Sequence, residues 1–226
     1  MKNWTKEEIK TVKNYYLNKG ELELSKLFRR SPSAVTSMAF RLGIKKLDYR
    51  KNIHLSEIEN QILLGGLLGD LYCRIKDTSK NAKIEGSHCK VQEPYMFWKI
   101  SLLKSLSFNF RKMKGGNLFF ESKNFPCLNY YHSLFYKNGV KHVNEDILNK
   151  LDNFGMAIGY TDDGSYKKRD KNCCIYTNCF TYNENLIIKH WFKKKFNISP
   201  YTQACKRLDK YPNKIWYYLN FNVIDT

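Results

Sequence analysis

The sequence predicts an α+β protein with a duplicated main body, preceded by a small three-helix domain. Two observations support the duplication: an apolar, glycine-bearing helical stretch ends at Asp70, and a second apolar helical stretch ends at Asp163, 93 residues later. That distance suits one αββαββ repeat. The third observation is the helical periodicity of residues 4–43, which turn-forming residues interrupt. We predict domains at 1–50, 51–150 and 151–226.

Composition points to a polyanionic partner. The chain has 226 residues, of which 42% are hydrophobic, so it can bury a sizeable core. Its formal net charge of +18 is unlike that of a typical small-molecule enzyme and favours nucleic acid. Solubility, or a lysine-rich coding bias, is the alternative explanation. Tyr and Phe are interleaved with the basic residues, which favours nucleic-acid binding.

Cysteine usage is typical of a reduced, intracellular protein. The seven cysteines show no CxxC spacing. Cys173, Cys174 and Cys179 lie close together, but their spacing is not that of a structural zinc site, so we interpret them as strand residues. The sequence starts with no recognisable signal peptide, and its longest apolar run is too short to span a bilayer. We therefore expect a cytoplasmic protein.

The N-terminal segment has clear helix start and stop signals. Thr5 with Glu8 three residues later forms a capping-box pattern for a first helix, which Gly20 ends. A short leucine-bearing second helix follows, and Pro32 occupies the first turn of a third helix that runs to Arg41. These signals predict a three-helix unit.

This unit is a candidate DNA-binding module. Residues 1–53 contain 13 Lys and Arg against 5 Asp and Glu. The segment WTKEEIKTV…LSKLFRRSPSAVTSMAFRLGIKK resembles Myb-like helix-turn-helix modules, whose last helix enters the major groove. The alternative is a small helical domain that contacts protein or packs on the main body. The predicted DNA contacts are Arg29, Arg30, Ser33, Ser37 and Arg41.

Glycines in the first apolar helix indicate close helix packing. Gly65, Gly66 and Gly69 each disfavour the helix by about 1 kcal/mol relative to Ala, so a compensating contact is expected. Residues 65 and 69 are neighbours on one helix face, where missing side chains let another backbone approach. In the second stretch, Ala157 and Thr161 have the same spacing. We predict that the two helices pack against each other.

Each of these helices delivers a carboxylate at its end. If the helices pack side by side, Asp70 and Asp163 meet at one pole, where their oxygens suit Mg²⁺ shared between two scissile phosphates. Taken alone, Asp70 could simply terminate its helix, and residues 162–164 could form a type I turn. The repetition of the pattern at a domain-length interval favours the metal-binding interpretation.

The two glycine-bearing segments and the residues that follow them resemble those of a known family. LLGGLLGD at 63–70 and MAIGYTDDGS at 156–165 resemble the two LAGLIDADG motifs of single-chain homing endonucleases. GSHCKVQEPYMFWK at 86–99 and YTNCFTYNENLIIKHWF at 176–192 are similar to the segments that follow each motif. The resemblance extends from about residue 55 to the end.

The resemblance implies a monomeric, Mg²⁺-dependent endonuclease that cuts both strands of a long, specific duplex DNA site across the minor groove. Asp70 and Asp163 then bind the metal, and Lys141 matches a basic residue of the catalytic pocket. An exposed loop lysine is the alternative for Lys141. The protein is expected in the compartment that holds its target DNA, as the product of an intron or another mobile element.

Two features depart from the family pattern. Leu71 stands where the family often has Gly, and the chain stops at Thr226, before the Tyr-Lys segment that normally supplies a second basic residue. The second half, from Leu151, has 76 residues against 97 for residues 54–150, so a terminal strand or helix is expected to be missing. A relative that has lost cleavage, and serves as an intron RNA maturase or a DNA-binding repressor, is therefore the alternative function.

The resemblance also implies two saddle-shaped antiparallel sheets whose inner faces lie along the major groove. Because side chains alternate along a strand, about half of each strand can contact DNA. The predicted contacts on these strands are Arg74, Lys76, Lys83, Arg111, Lys112, Lys114, Lys167, Arg169, Lys206 and Arg207.

Overall fold

The computed structural model describes residues 3–44, 53–206 and 215–222. The chain divides into two compact units, Met1–Tyr49 and Arg50–Thr226, each with its own hydrophobic cluster. Among the described helices, none is long and apolar enough to cross a membrane.

The N-terminal unit consists of helical segments around a small core. Helix α1 (Lys6–Phe28) begins with the predicted capping box, in which Thr5 and Glu8 exchange hydrogen bonds. At Gly20 the backbone takes φ 73° and ψ 176°, a conformation that glycine adopts readily, so α1 consists of two helical pieces. Helix α2 (Pro32–Arg41) begins after the Ser31 cap. This agrees with the predicted three-helix organisation, while the Myb-like identity stays a prediction.

The first half of the main body alternates helices with strand pairs. Helix α3 (Glu57–Leu68) is followed by β1 (Tyr72–Arg74), β2 (Lys83–His88), α4 (Glu93–Leu102), β3 (Phe108–Lys112), β4 (Leu118–Ser122) and α5 (Leu128–Phe135). The strands form an antiparallel sheet in the order β1-β2-β4-β3. The short strands β5 (Tyr136–Lys137) and β6 (Val140–Lys141) then form a hairpin, and α6 (Glu145–Leu148) leads to the second half.

The second half repeats this arrangement. It contains α7 (Asn153–Asp163), β7 (Gly164–Lys167), β8 (Asn172–Tyr176), α8 (Tyr182–Phe196), β9 (Tyr201–Lys206) and β10 (Ile215–Phe221). Its antiparallel sheet has the equivalent order, β7-β8-β10-β9. The predicted α+β class with paired αββαββ repeats is confirmed. Among the described residues, the second half has four sheet strands, as the first does, and what it lacks are counterparts of α5, β5 and β6.

Helices α3 and α7 pack together through their glycines. A Cβ atom at Gly65 would overlap the carbonyl oxygen of Gly155, and a Cβ at Gly159 would lie 3.3 Å from the carbonyl oxygen of Gly65. The predicted close approach is therefore present. The small residues on α7 are Gly155 and Gly159, however, whereas Ala157 and Thr161 are exposed. The predicted spacing was correct, but the face was wrong by about half a turn.

A single core surrounds this helix pair. Ile62, Leu63, Leu64 and Leu67 of α3 are fully buried, and the cluster extends through both sheets to Leu219 of β10. At the start of the contact, the Gln61 amide donates to the carbonyl oxygen of Lys150 at 2.9 Å, and its own oxygen accepts from the Asp152 amide at 3.0 Å. Burial on this scale fixes the two helix ends relative to each other.

Candidate active site

The ends of α3 and α7 bring carboxylates together. Asp163 is the last residue of α7, and Asp70 follows the end of α3 at Gly69. Burial raises the pKa of Asp163 to about 7, and the negative charge of Asp70 contributes to that rise. Burial also raises the pKa of Asp70, with a further contribution from Asp162. The charges therefore act on one another in one partly buried pocket, and the metal-binding role of Asp70 and Asp163 stays a prediction.

Lys141 reaches the same pocket from β6. Its ammonium donates to the carbonyl oxygens of Gly69 at 3.2 Å and Leu71 at 3.0 Å, on either side of Asp70. Burial lowers the pKa of Lys141, although nearby acidic groups, including Asp163 and Asp70, oppose that shift. Lys141 is thus a partly buried cation beside the acids, and the exposed-loop alternative does not describe its surroundings.

Asp162 is a further acid that the sequence analysis treated only as part of a turn. Its side chain is fully buried, and its Oδ1 accepts from Lys99 Nζ at 2.6 Å and from the Tyr95 hydroxyl at 2.8 Å. Gly69 makes room for it, since a Cβ there would lie 2.5 Å from the Asp162 Cβ. Among the described residues, Asp162 Oδ2 has no hydrogen-bond partner.

His88, the last residue of β2, lies beside these acids. Its ring stacks on Phe120 and meets Tyr95 edge-on, and its side chain is fully buried. His88 Nδ1 is 3.7 Å from Asp70 Oδ2. Burial lowers the pKa of His88, and the charge of Lys99 lowers it further. Within the described part of the chain, neither ring nitrogen has a hydrogen-bond partner, although the Gln92 side chain lies near the ring.

One of these residues carried a signal in the sequence. Lys99 occupies the buried face of α4 together with Met96 and Ile100, at helical spacing. A lysine at an apolar position of a helix indicates a buried partner, because an unpaired buried charge is strongly unfavourable. Asp162 and His88 had no comparable local signal, since only the tertiary packing brings them to the end of α3.

The pocket has the donor set of a divalent-cation site. One ligand atom from each of Asp70, His88 and Asp162 lies within 4.8 Å of the others. Asp163 and Lys141 interact electrostatically with the same group. Carboxylate oxygens and a neutral imidazole nitrogen are common metal ligands, so the residues present fit a divalent metal.

Many of the predicted DNA contacts are exposed. Ser33, Ser37 and Arg41 lie on the exposed face of α2, opposite the buried Val35 and Met38. The exposed residues on or beside the strands are Lys76, Arg111, Lys112, Lys114, Lys167, Arg169 and Lys206, and Arg29 is exposed in the N-terminal unit. Arg207 lies outside the described residues.

Several predicted contacts have intramolecular partners among the described residues, and the partners of Arg30, Lys83 and Arg74 include acidic side chains. Arg30 donates to both carboxylate oxygens of Glu8, at 3.1 and 3.0 Å, and stacks over the Trp4 ring at 4.3 Å. Lys83 is buried and bridges Glu85 and Glu121, and Arg74 pairs with Glu85 at 2.9 Å. These pairs order the N-terminal unit and the first sheet, and a phosphate would have to compete with them.

About half of this chain is similar to part of the RecA proteins of two mycobacteria. Protein RecA of Mycobacterium gastri is 33% identical over 121 residues, which is 52% of this chain and 29% of that protein. Protein RecA of Mycolicibacterium fallax is 30% identical over 120 residues, which is 52% of this chain and 28% of that protein. The chain thus spans less than a third of the length of these curated relatives.

A solved structure of the homing endonuclease I-WcaI bound to its DNA recognition sequence is similar to this chain. The TM-score is 0.64 at 18% sequence identity, and the match covers 76% of this chain and 79% of that one. This likeness shows a shared fold. A model of the LAGLIDADG DNA endonuclease family matches residues 60–223. Because that match spans well over half of the chain, the protein belongs to the LAGLIDADG DNA endonuclease family.

Proposed function

We propose that this protein is a site-specific homing endonuclease that uses a divalent metal, Mg²⁺ in the first instance, to cut both strands of a long duplex DNA site. Asp70 and Asp163 are the metal-binding carboxylates, and Lys141 is the basic residue of the pocket. The observation that carries the proposal is the close packing of α3 against α7, at whose ends the charges of Asp70, Asp163 and Lys141 act on one another.

The pocket residues have separable roles in this mechanism. Asp70 and Asp163 would hold a divalent ion, which would supply Lewis-acid stabilisation of phosphate oxygens and lower the pKa of a bound water. Asp70 and Asp163 each end a different helix, so each can serve one of the two scissile phosphates. The Lys141 ammonium, anchored on the carbonyls beside Asp70, offers a positive charge to a phosphate or a water in the pocket.

Binding depends on a basic surface outside the pocket. The net charge of +18 and the exposed lysines and arginines on both sheets support a duplex DNA partner. The I-WcaI structure, with its DNA recognition sequence, supports the same partner. The N-terminal unit adds charge and the exposed face of α2, and we assign it to affinity and footprint length. One chain contains both motifs, so the active form is a monomer.

Substitution of the two acids tests the proposal. Asp70→Asn and Asp163→Asn preserve side-chain shape and remove charge, so cleavage of both strands in Mg²⁺ or Mn²⁺ should fall by about 10²-fold or more. Duplex binding measured in Ca²⁺ should survive. Asp146→Asn, an exposed acid of α6, is the matched control and should cut normally. The substrate pool can be a randomised duplex library, from which cleaved molecules are sequenced.

Other outcomes would point to the alternative functions. Sequence-specific duplex binding without cleavage in any divalent metal would indicate a repressor. Tighter binding to a structured intron RNA than to duplex DNA would indicate a maturase. An Asp163→Asn variant that still cut both strands would remove Asp163 from the mechanism.

A further inference from the structure

We infer that Asp70, His88 and Asp162 form a mixed nitrogen–oxygen site that binds one divalent transition-metal ion in the absence of DNA. The inference deepens the proposed function, because it completes the ligand set around one of the two proposed metal-binding acids. No other described residues form a comparable group of three.

Unpaired polar atoms on two buried side chains support the site. His88 is 2% exposed, and among the residues with described positions neither ring nitrogen has a well-formed hydrogen bond, although the Gln92 side chain lies near the ring. Asp162 Oδ2 is equally unpaired on a fully buried side chain, although Oδ1 binds Lys99 and Tyr95. Buried polar atoms without partners are rare in folded proteins, and a bound ion is one physical explanation for them.

The spacing of these atoms suits a small cation. The three ligand atoms lie within 4.8 Å of one another, and His88 Nδ1 is 3.7 Å from Asp70 Oδ2. With metal–ligand bonds of about 2.1 Å, opposite ligands of one ion are about 4.2 Å apart. Adjacent ligands are closer, about 3.0–3.4 Å apart, so the 3.7 Å pair has to close by a few tenths of an ångström and a pair as far apart as 4.8 Å by more, with further positions left for water or a phosphate oxygen.

Charge in the pocket also favours a cation. The carboxylates of Asp70, Asp162 and Asp163 outnumber the ammonium groups of Lys99 and Lys141. Lys99 and Tyr95 bind Asp162 Oδ1, and Oδ2 has no hydrogen-bond partner among the described residues. A divalent ion would relieve the repulsion between Asp70 and Asp162.

The donor set predicts which ions bind best. Mg²⁺ and Ca²⁺ prefer oxygen ligands, whereas an imidazole nitrogen favours later transition metals such as Zn²⁺, and Mn²⁺ binds a mixed nitrogen–oxygen set more readily than Mg²⁺ does. The pocket around Asp163 has no described histidine of this kind. The two halves should therefore differ in metal preference, with the His88 half selecting transition metals.

Electron spin resonance on the full chain, free of any affinity tag and of DNA, tests the inference. We expect bound Mn²⁺ to show the nitrogen modulation of a coordinated imidazole in pulsed spectra. His88→Gln should remove that modulation and weaken Mn²⁺ binding by about 10–100-fold. His142→Gln is the matched control, because His142 also has a buried unpaired nitrogen but lies outside the group of three ligands. This variant should retain the nitrogen modulation and the Mn²⁺ affinity of the wild type.

The wild-type spectrum alone can overturn the inference, even if His88→Gln does not fold. Mn²⁺ bound without nitrogen modulation, or Mg²⁺ displacing Mn²⁺ at equal concentration, would exclude a histidine ligand. Asp162→Asn, which retains shape and the Lys99 contact, gives a second variant in which weaker Mn²⁺ binding is expected. DNA cleavage without nitrogen modulation would overturn only this inference, whereas nitrogen modulation in a protein that never cuts DNA would overturn only the proposed function.

Discussion

Replacing Asp163 by Asn should stabilise the metal-free protein at neutral pH. The pKa of Asp163 is raised from 3.8 to about 7 by burial and by the charge of Asp70. The folded chain therefore holds a proton between about pH 4 and pH 7 that the unfolded chain releases, so stability falls as pH rises through this window. Above pH 7 the penalty is complete, and an uncharged Asn does not carry it.

The magnitude follows from the size of the shift. About three pKa units at 1.36 kcal/mol each give an upper value of about 4 kcal/mol. Asp163 is part-exposed, and its loss removes a neighbour of the Lys141 charge, so we expect a gain of about 1–3 kcal/mol in the free energy of unfolding.

Urea unfolding in EDTA at pH 8 and pH 4.5 measures this effect. The Asp163→Asn variant should unfold at higher urea than the wild type at pH 8, and most of the difference should be lost at pH 4.5. Saturating Mg²⁺ should reverse the order at pH 8, because Asp163 is one of the proposed Mg²⁺-binding acids and only the wild type has its carboxylate. Equal stability of the two proteins at pH 8 in EDTA would refute the electrostatic account of the pocket.

Three further predictions concern packing, the buried ion pair and DNA binding. Gly65→Ala should lower the free energy of unfolding by about 2–4 kcal/mol in urea titrations, because its Cβ overlaps the Gly155 carbonyl oxygen. Gly159→Ala should lower it less, because its Cβ would lie 3.3 Å from the nearest oxygen. Equal losses of stability in the two variants would contradict this helix contact. Lys99→Met should destabilise the fold by about 3–5 kcal/mol by leaving the Asp162 charge unpaired, and adding Asp162→Asn should recover much of this in the same assay. Removal of residues 1–50 should weaken duplex binding, shorten the footprint and reduce the slope of log affinity against log salt. The position of cleavage should not change. An unchanged footprint would argue against a DNA role for this segment.

Periodicity and glycine placement predicted much of the fold. The two central helices and their terminal acids were found because apolar runs with glycine are uncommon in helices and require a packing partner. Arg111, Lys112 and Lys114 were predicted to lie on strands, and the structure has Arg111 and Lys112 on β3 (Phe108–Lys112) and Lys114 between β3 and β4 (Leu118–Ser122). Strand ends were displaced by a few residues, since local sequence defines them weakly.

The remainder of the site depends on long-range contacts. Asp162 looked like a turn residue, because nothing nearby in sequence shows that Gly69, 93 positions earlier, leaves space for its side chain. Lys83 read as a DNA contact in a basic strand, but the antiparallel register places it beside Glu121, which it binds. In both cases tertiary packing determines which residue lies beside the side chain, and residue type alone does not predict that neighbour.

The contact of Gly65 with Gly155 is independent of the residues that would have to change for the protein to recognise another DNA sequence. It is made by main-chain atoms of α3 and α7, so no rotamer change in the sheets can alter it. In the proposed mechanism, the separation of Asp70 and Asp163 sets the offset between the bonds cut on the two strands. Strand residues could then be exchanged to bind other sequences while the length of the single-stranded overhangs stays the same.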